Sequence, residues 1–251
     1  YTTLFRSLAA MHQSQDNESA GARYTQLQMN AQAAISAMEL YEAFGETEYL
    51  SRGVSFARIL MACQASAVDP SFSIPLRGYF YENETHERIQ TYYHRSYEHA
   101  PIKAFAMLYR LAPEHEDAAR WKNSLELYRE YVALTSRMVP YGLLPNGIYE
   151  LDNTDFSTIT HEGARAAGAP SLEEYNAQVR NGIRLNDRFY LRIFPVAYQF
   201  RGFHATLMGR ALAAMELARA LNDREIKQVA VRQMEWILGC NPFAVRSEEH
   251  T

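Results

Sequence analysis

The sequence predicts an all-α fold: about three helical hairpins forming part of an (α/α)6 barrel, with long inter-hairpin loops on one rim. Three observations lead there. Apolar residues recur at 4-3-4 spacing in several segments, the mark of an amphipathic helix. A short string recurs, Ala37-Met38-Glu39-Leu40 and Ala214-Met215-Glu216-Leu217, with a weaker copy at Ala106-Met107-Leu108. Each copy leads into a short turn and a second helix. The copies begin at residues 37, 106 and 214, too uneven for a tetratricopeptide array with its period of about 34. A helical ring with loop insertions fits better.

The elements follow in order. Arg23 to Phe44 is dense in good helix formers, and Gly45 ends it. Thr47 is placed to cap the next helix, whose apolar face is Leu50, Val54, Ala57 and Met61. A loop runs from Ala67 to Arg95. Ser96 to Leu111 is helical, with Pro101 admissible only in its first turn. After Ala112-Pro113, the face Trp121, Leu125, Tyr128 and Val132 lies opposite Lys122, Asn123, Glu126, Arg129 and Glu130. A very long connection from Pro140 to Arg201 contains a turn-rich, semi-extended stretch at Tyr141 to Tyr149 and a β-prone one at Phe189 to Val196. Phe203 to Leu221 is an Ala-rich helix suited to close packing. Asn222 with Glu225 reads as a capping box for the last helix, and Gly239 with Pro242 stops it. In antiparallel hairpins, inner turns lie at one end and connections at the other. Both long connections therefore meet on one rim, where binding residues concentrate.

Composition narrows the function classes. The 251 residues are 47% hydrophobic and 12% aromatic, enough to build a sizeable core. With 25 basic and 29 acidic residues there is no basic stripe for nucleic acid. No apolar run reaches membrane-span length. Cys63 and Cys240 make neither a disulfide framework nor a zinc site. No cofactor motif is present: the chain carries no phosphate-binding glycine loop, no nucleophile elbow and no H-E-x-x-H.

The ends stand apart. Tyr1 to Ser7 and Arg246 to Thr251 match translated short-read sequencing adapter, so residues 1–7 and 246–251 are expected to be scars. Residues 8–245 are then a partial catalytic domain. Such a part of a ring is expected to expose an apolar flank and to aggregate or dimerise. The natural oligomer is not legible.

The loops carry the candidate site. Tyr79, Phe80, Tyr81, Tyr92, Tyr93 and Tyr97 cluster around one helix start. Aromatic faces stack on sugar rings while tyrosine hydroxyls form hydrogen bonds; the same rings would equally serve to wedge the loop onto the helix ends. Tyr92, Tyr93, His94, Arg95 and Glu98 are the substrate-binding candidates there. Arg201 and His204, at the start of the Ala-rich helix, would donate to substrate hydroxyls. Glu98 has a second expected fate, a salt bridge to Arg95 or an interaction with the helix N-terminus. His94 and Glu98 share a helical face, but no third ligand accompanies them, so no metal is expected. Asp152 and Asp155 form a carboxylate pair that reads as solvated.

The segment Trp236-Ile237-Leu238-Gly239-Cys240-Asn241-Pro242 resembles the (W/Y)-(I/L)-L-G-x-N-P motif of family-nine glycoside hydrolases, the inverting cellulases. Arg201-Gly202 ahead of an Ala-rich helix is similar to relatives of that family. Tyr93 to Glu98 and Tyr141 to Tyr149 resemble a bacterial subgroup of it. The likeness extends over most of residues 23–245, with its specific motif in the C-terminal hairpin. It implies an (α/α)6 toroid that hydrolyses β-linked glycans with inversion, a carbohydrate substrate, and a secreted or periplasmic bacterial protein. It also implies an Asp base in an early D-A-G-D-like motif and a Glu acid beyond the N-P turn. Neither has a matching position here, and Glu248 and Glu249 lie in the adapter-like end. Inversion needs both carboxylates, roughly 6.5–9.5 Å apart. The expectation is an enzyme fragment without catalytic residues of its own. Two other readings remain. One is a toroidal polysaccharide lyase using Tyr93, His94 and Arg95. The other is a non-catalytic helical interaction module.

Overall fold

The computed structural model describes residues 25–92, 97–153, 170–196 and 203–243. Both adapter-like ends lie outside them. The described chain is mostly helical: α1 (Gln26–Phe44), α2 (Thr47–Ala62), α3 (His99–Leu111), α4 (Ala118–Met138), α5 (Leu172–Arg180), α6 (Phe203–Leu221) and α7 (Arg224–Ile237). Three short strands accompany them: β1 (Gly147–Glu150), β2 (Ile183–Arg184) and β3 (Phe189–Arg192).

The hairpins α1–α2, α3–α4 and α6–α7 are those the periodicity predicts. Thr25 and Gln28 close a capping box at the start of α1, and Gly45 ends the helix with φ 71. Pro101 sits in the first turn of α3, where its missing N–H costs no helical bond. Two caps differ from expectation by one residue. Thr47 is already helical, and Glu46 precedes it without a side-chain cap bond. Asp223, not Asn222, caps α7 by accepting from the Ile226 N–H. Asn222 instead takes left-handed backbone, φ 52, which Asn tolerates better than most residues.

The first helices of the hairpins pack side by side in the order α1, α3, α6, and each carries its own second helix. The core lies between these two rows. Leu27, Ala34 and Met38 of α1 meet Ile102, Phe105 and Leu108 of α3, with Ala214 and Leu217 of α6 beyond. Trp121 and Leu125 of α4 are fully buried beneath them, and burial of each such large apolar side chain contributes roughly 1.5–3 kcal/mol. On α2 the buried stripe is Val54, Ala57 and Leu60; Leu50 and Met61 are only partly covered. On α6, Met208 and Leu212 are exposed four residues apart. Among the described residues no helix is long and apolar enough to cross a membrane.

Helix predominates among the described residues as expected, and the departure from a purely helical chain lies in the second connection. It holds α5 and an antiparallel sheet of order β1-β3-β2, with Ile148 opposite Leu191 and Tyr149 opposite Tyr190. The two long connections do meet at one end. Ser73 N–H donates to the Leu185 carbonyl at 2.6 Å, Asn186 Nδ2 donates to Ser71 Oγ at 3.0 Å, and Phe72 meets Phe189 edge-on at 5.8 Å. Helices α1, α3 and α6 all start at this end, so the rim surrounds their N-termini.

Candidate functional site

The site forms where the first connection turns into α3. Gly78 has φ 87 and lets the chain pass against α4: a Cβ there would stand 2.0 Å from the Leu127 carbonyl oxygen. Gln64 fastens the same crossing, donating from Nε2 to the carbonyls of Gly78 at 3.1 Å and Ser124 at 3.0 Å. This brings Tyr79 and Phe80 onto Tyr131 and Tyr128 of α4, at ring separations of 6.3 and 6.0 Å. From the other connection, Asn146 Nδ2 donates to the Tyr92 carbonyl at 3.4 Å. The result is a small cleft lined by Tyr92, Glu98, Tyr128, Tyr131, Gln90 and Asn146, with apolar walls from Phe80, Ile89 and Ile148.

Glu98 is its chemical centre. It stands at the N-cap of α3 but makes no cap bond. Its carboxyl turns inward instead and is only 7% exposed. Oε1 accepts from the Tyr128 hydroxyl at 3.2 Å, while Oε2 is buried without a hydrogen bond and lies 3.7 Å from Arg210 Nε. Arg210 reaches this point from α6 and is fully buried. It donates to the Leu144 carbonyl at 2.5 Å and to Thr206, through the carbonyl and Oγ1, at 3.2 Å each. Burial pushes the Glu98 carboxyl up, to about 8, against the opposing pull of Arg210 and the Tyr128 hydrogen bond. Burial draws the Arg210 guanidinium down, and Glu98 draws it back up. Burial, with the Glu98 charge behind it, holds the hydroxyls of Tyr92, Tyr128 and Tyr131 well above the ordinary tyrosine value. They stay neutral and able to donate.

No family model matches this chain, and no curated protein matches it.

Of the residues predicted from sequence, the structure brings Tyr92 and Glu98 together in the cleft. His204 is half-buried in the first turn of α6 and does not line it. Tyr93, His94, Arg95 and Arg201 lie outside the described residues. Among the described residues Glu98 pairs with Arg210 of α6; the expected partner Arg95 lies outside them. Tyr79, Phe80 and Tyr92 are each less than a tenth exposed, so these three wedge the loop against α4 rather than offering open faces. Asp152 is tied down too, accepting from Asn176 Nδ2 at 2.7 Å. Sequence reasoning missed Tyr128, Tyr131, Asn146 and Arg210. One signal existed for Arg210: it is the single charge in the run Thr206 to Ala214. Among the described residues no three His, Cys, Asp or Glu side chains gather as a metal site.

Proposed function

We propose that the chain is the carbohydrate-binding part of a toroidal glycoside hydrolase acting on β-linked glucan-type chains, and that it binds such glycans without cleaving them. The observation carrying this reading is the meeting of both long connections over the N-termini of α1, α3 and α6, around a tyrosine-walled cleft. Three hairpins with their first helices side by side are what a sector of an (α/α)6 ring requires. Neutral tyrosine hydroxyls, amides and a carboxyl suit a polyhydroxylated ligand better than an ionic one. The Trp236 to Pro242 segment adds the family likeness. The inverting acid and base have no counterparts at motif-matched positions, which is why binding without turnover is expected.

Titration calorimetry with soluble β-1,4-gluco-oligosaccharides, paired with a reducing-sugar assay, tests the reading. Saturable binding with no new reducing ends is the expected outcome. Robust hydrolysis would overturn the inactivity. Absence of binding to β-linked oligosaccharides would favour a helical interaction module, for which the exposed Met208 and Leu212 of α6 offer a surface.

A further inference from the structure

A carboxylate has about four acceptor positions. The described surroundings of Glu98 fill one of them with a hydrogen bond, from Tyr128. The Arg210 contact at 3.7 Å is an ion pair without hydrogen-bond geometry. So a side chain more than nine-tenths buried sits in a cleft wall with acceptor capacity to spare. Groups buried in this way ordinarily find a partner.

The cleft limits what that partner can be. Its cavity volume is about 20 Å³, where roughly 10–15 Å³ holds one water. A sugar ring does not fit beside Glu98, but a hydroxyl or hydroxymethyl arm does. The lining contains no Arg, Lys or His among the described residues, so nothing in the wall balances an anionic arm. Arg210 stands behind Glu98 and is committed to Leu144, Thr206 and Glu98.

Resting on the glycan reading above, we infer that this cleft is a subsite for the exocyclic hydroxymethyl group of a neutral hexose, whose O–H donates to the Glu98 carboxyl. Glu98 is then a specificity residue: it separates hexosides from pentosides, which lack the arm, and from uronides, whose arm is a carboxylate. A hydroxyl serves in either ionisation state of Glu98, because it both donates and accepts. Arg210 and Tyr128 position the carboxyl. Sites built to hydrogen-bond a hydroxyl reject analogues that lack it far more strongly than apolar pockets discriminate size.

Three glycosides differing only at C6 test this: methyl β-glucoside, methyl β-xyloside and methyl β-glucuronide. Each is titrated by NMR against the whole chain, alongside the β-1,4-gluco-oligosaccharides. The expected result is glucoside binding at least tenfold tighter than either analogue, with shifts in the Tyr92 and Tyr128 ring signals. Glu98→Gln should narrow the preference. Ile89→Trp, at a partly buried position on the cleft wall that leaves the Glu98–Arg210 pair intact, should remove glucoside binding with the circular dichroism spectrum unchanged. Equal binding of the three glycosides overturns the subsite, as does tightest binding of the glucuronide, which would mark an anion site anchored on Arg210. Oligosaccharide binding that Ile89→Trp leaves untouched overturns the subsite but spares the glycan reading. Failure of every sugar, oligosaccharides included, overturns both.

Discussion

Gly45 and Gly78 both take left-handed backbone, at φ 71 and 87, yet they stand in different regions and meet different demands. Around Gly45, at the turn end of the first hairpin, a Cβ would find nothing within 4 Å. Only the local conformation asks for glycine. At Gly78, on the rim, a Cβ would strike the backbone of Leu127. There the constraint comes from a helix far along the chain. The same division runs through the molecule. Turns inside hairpins are set mainly by caps and neighbours in sequence, and their glutamates, Glu46, Glu114 and Glu116, are exposed, while Asp117 and Asp223 are covered by arginine partners. The rim is set by distant partners and buries polar groups: Gln64, Glu98, Asn146, Arg210 and Gln233.

The sharpest break of this contrast is at Arg210. Arg210→Met strips the Leu144 carbonyl of its donor and Glu98 of its ion-pair partner. Urea unfolding near neutral pH should report a loss of about 3 kcal/mol, chiefly from the buried Leu144 carbonyl left without its charged donor, since Glu98 with a value of about 8 already holds its proton there. Gly78→Ala should cost at least about 2 kcal/mol, combining a left-handed alanine with a backbone collision. Gly45→Ala should cost only about 1 kcal/mol, the conformational part alone. Comparable losses at the two glycines would erase the distinction between the regions.

The rim should also carry a pH signature. The folded-state value for Glu98 is raised from 4.5 to about 8, so the folded protein holds its proton more tightly than the unfolded chain does. Its contribution is complete below about pH 4.5 and is lost as pH rises toward 8. Wild type should therefore lose stability relative to Glu98→Gln across that window, read as a falling difference in urea midpoints. A flat difference would mean that Glu98 ionises as an ordinary carboxylate. At the turn end, Asp223→Ala removes the α7 cap and one of the two carboxylates paired with Arg129, for about 1 kcal/mol. The smallest effect belongs to the surface pair Arg77–Glu130, where Arg77→Ala should move the urea midpoint least of these variants, and less still in high salt.

The same contrast explains what could be read from sequence. Hairpin helices announce themselves through local spacing: Trp121, Leu125, Tyr128 and Val132 are buried as their 4-3-4 pattern requires. Helix α5 carries a legible local signal as well, since Ser171 and Glu174 form a capping box. The strands do not. Phe189 to Arg192 has β-prone residues, but its pairing with Gly147 to Glu150 is a non-local fact that no window contains. At the site, Tyr92 and Glu98 stood out because they lie in an aromatic loop. Tyr128 and Arg210 sit on helices, where a tyrosine or a single arginine fits an amphipathic pattern without any ligand.

The rim's long-range construction also has a consequence in time. Hairpin contacts close short loops, whereas the bonds of Ser73 to Leu185 and Asn146 to Tyr92 close long ones, and loop closure slows contacts between distant residues. The three hairpins should gain protection from hydrogen exchange early in refolding, and the amides of β1 and β3 late. Once folded, the order reverses in the equilibrium experiment: the sheet should open by sub-global fluctuations while the amides of α1, α3 and α4 wait for complete unfolding. The cleft would then be the last part of the molecule to assemble and the first to come apart.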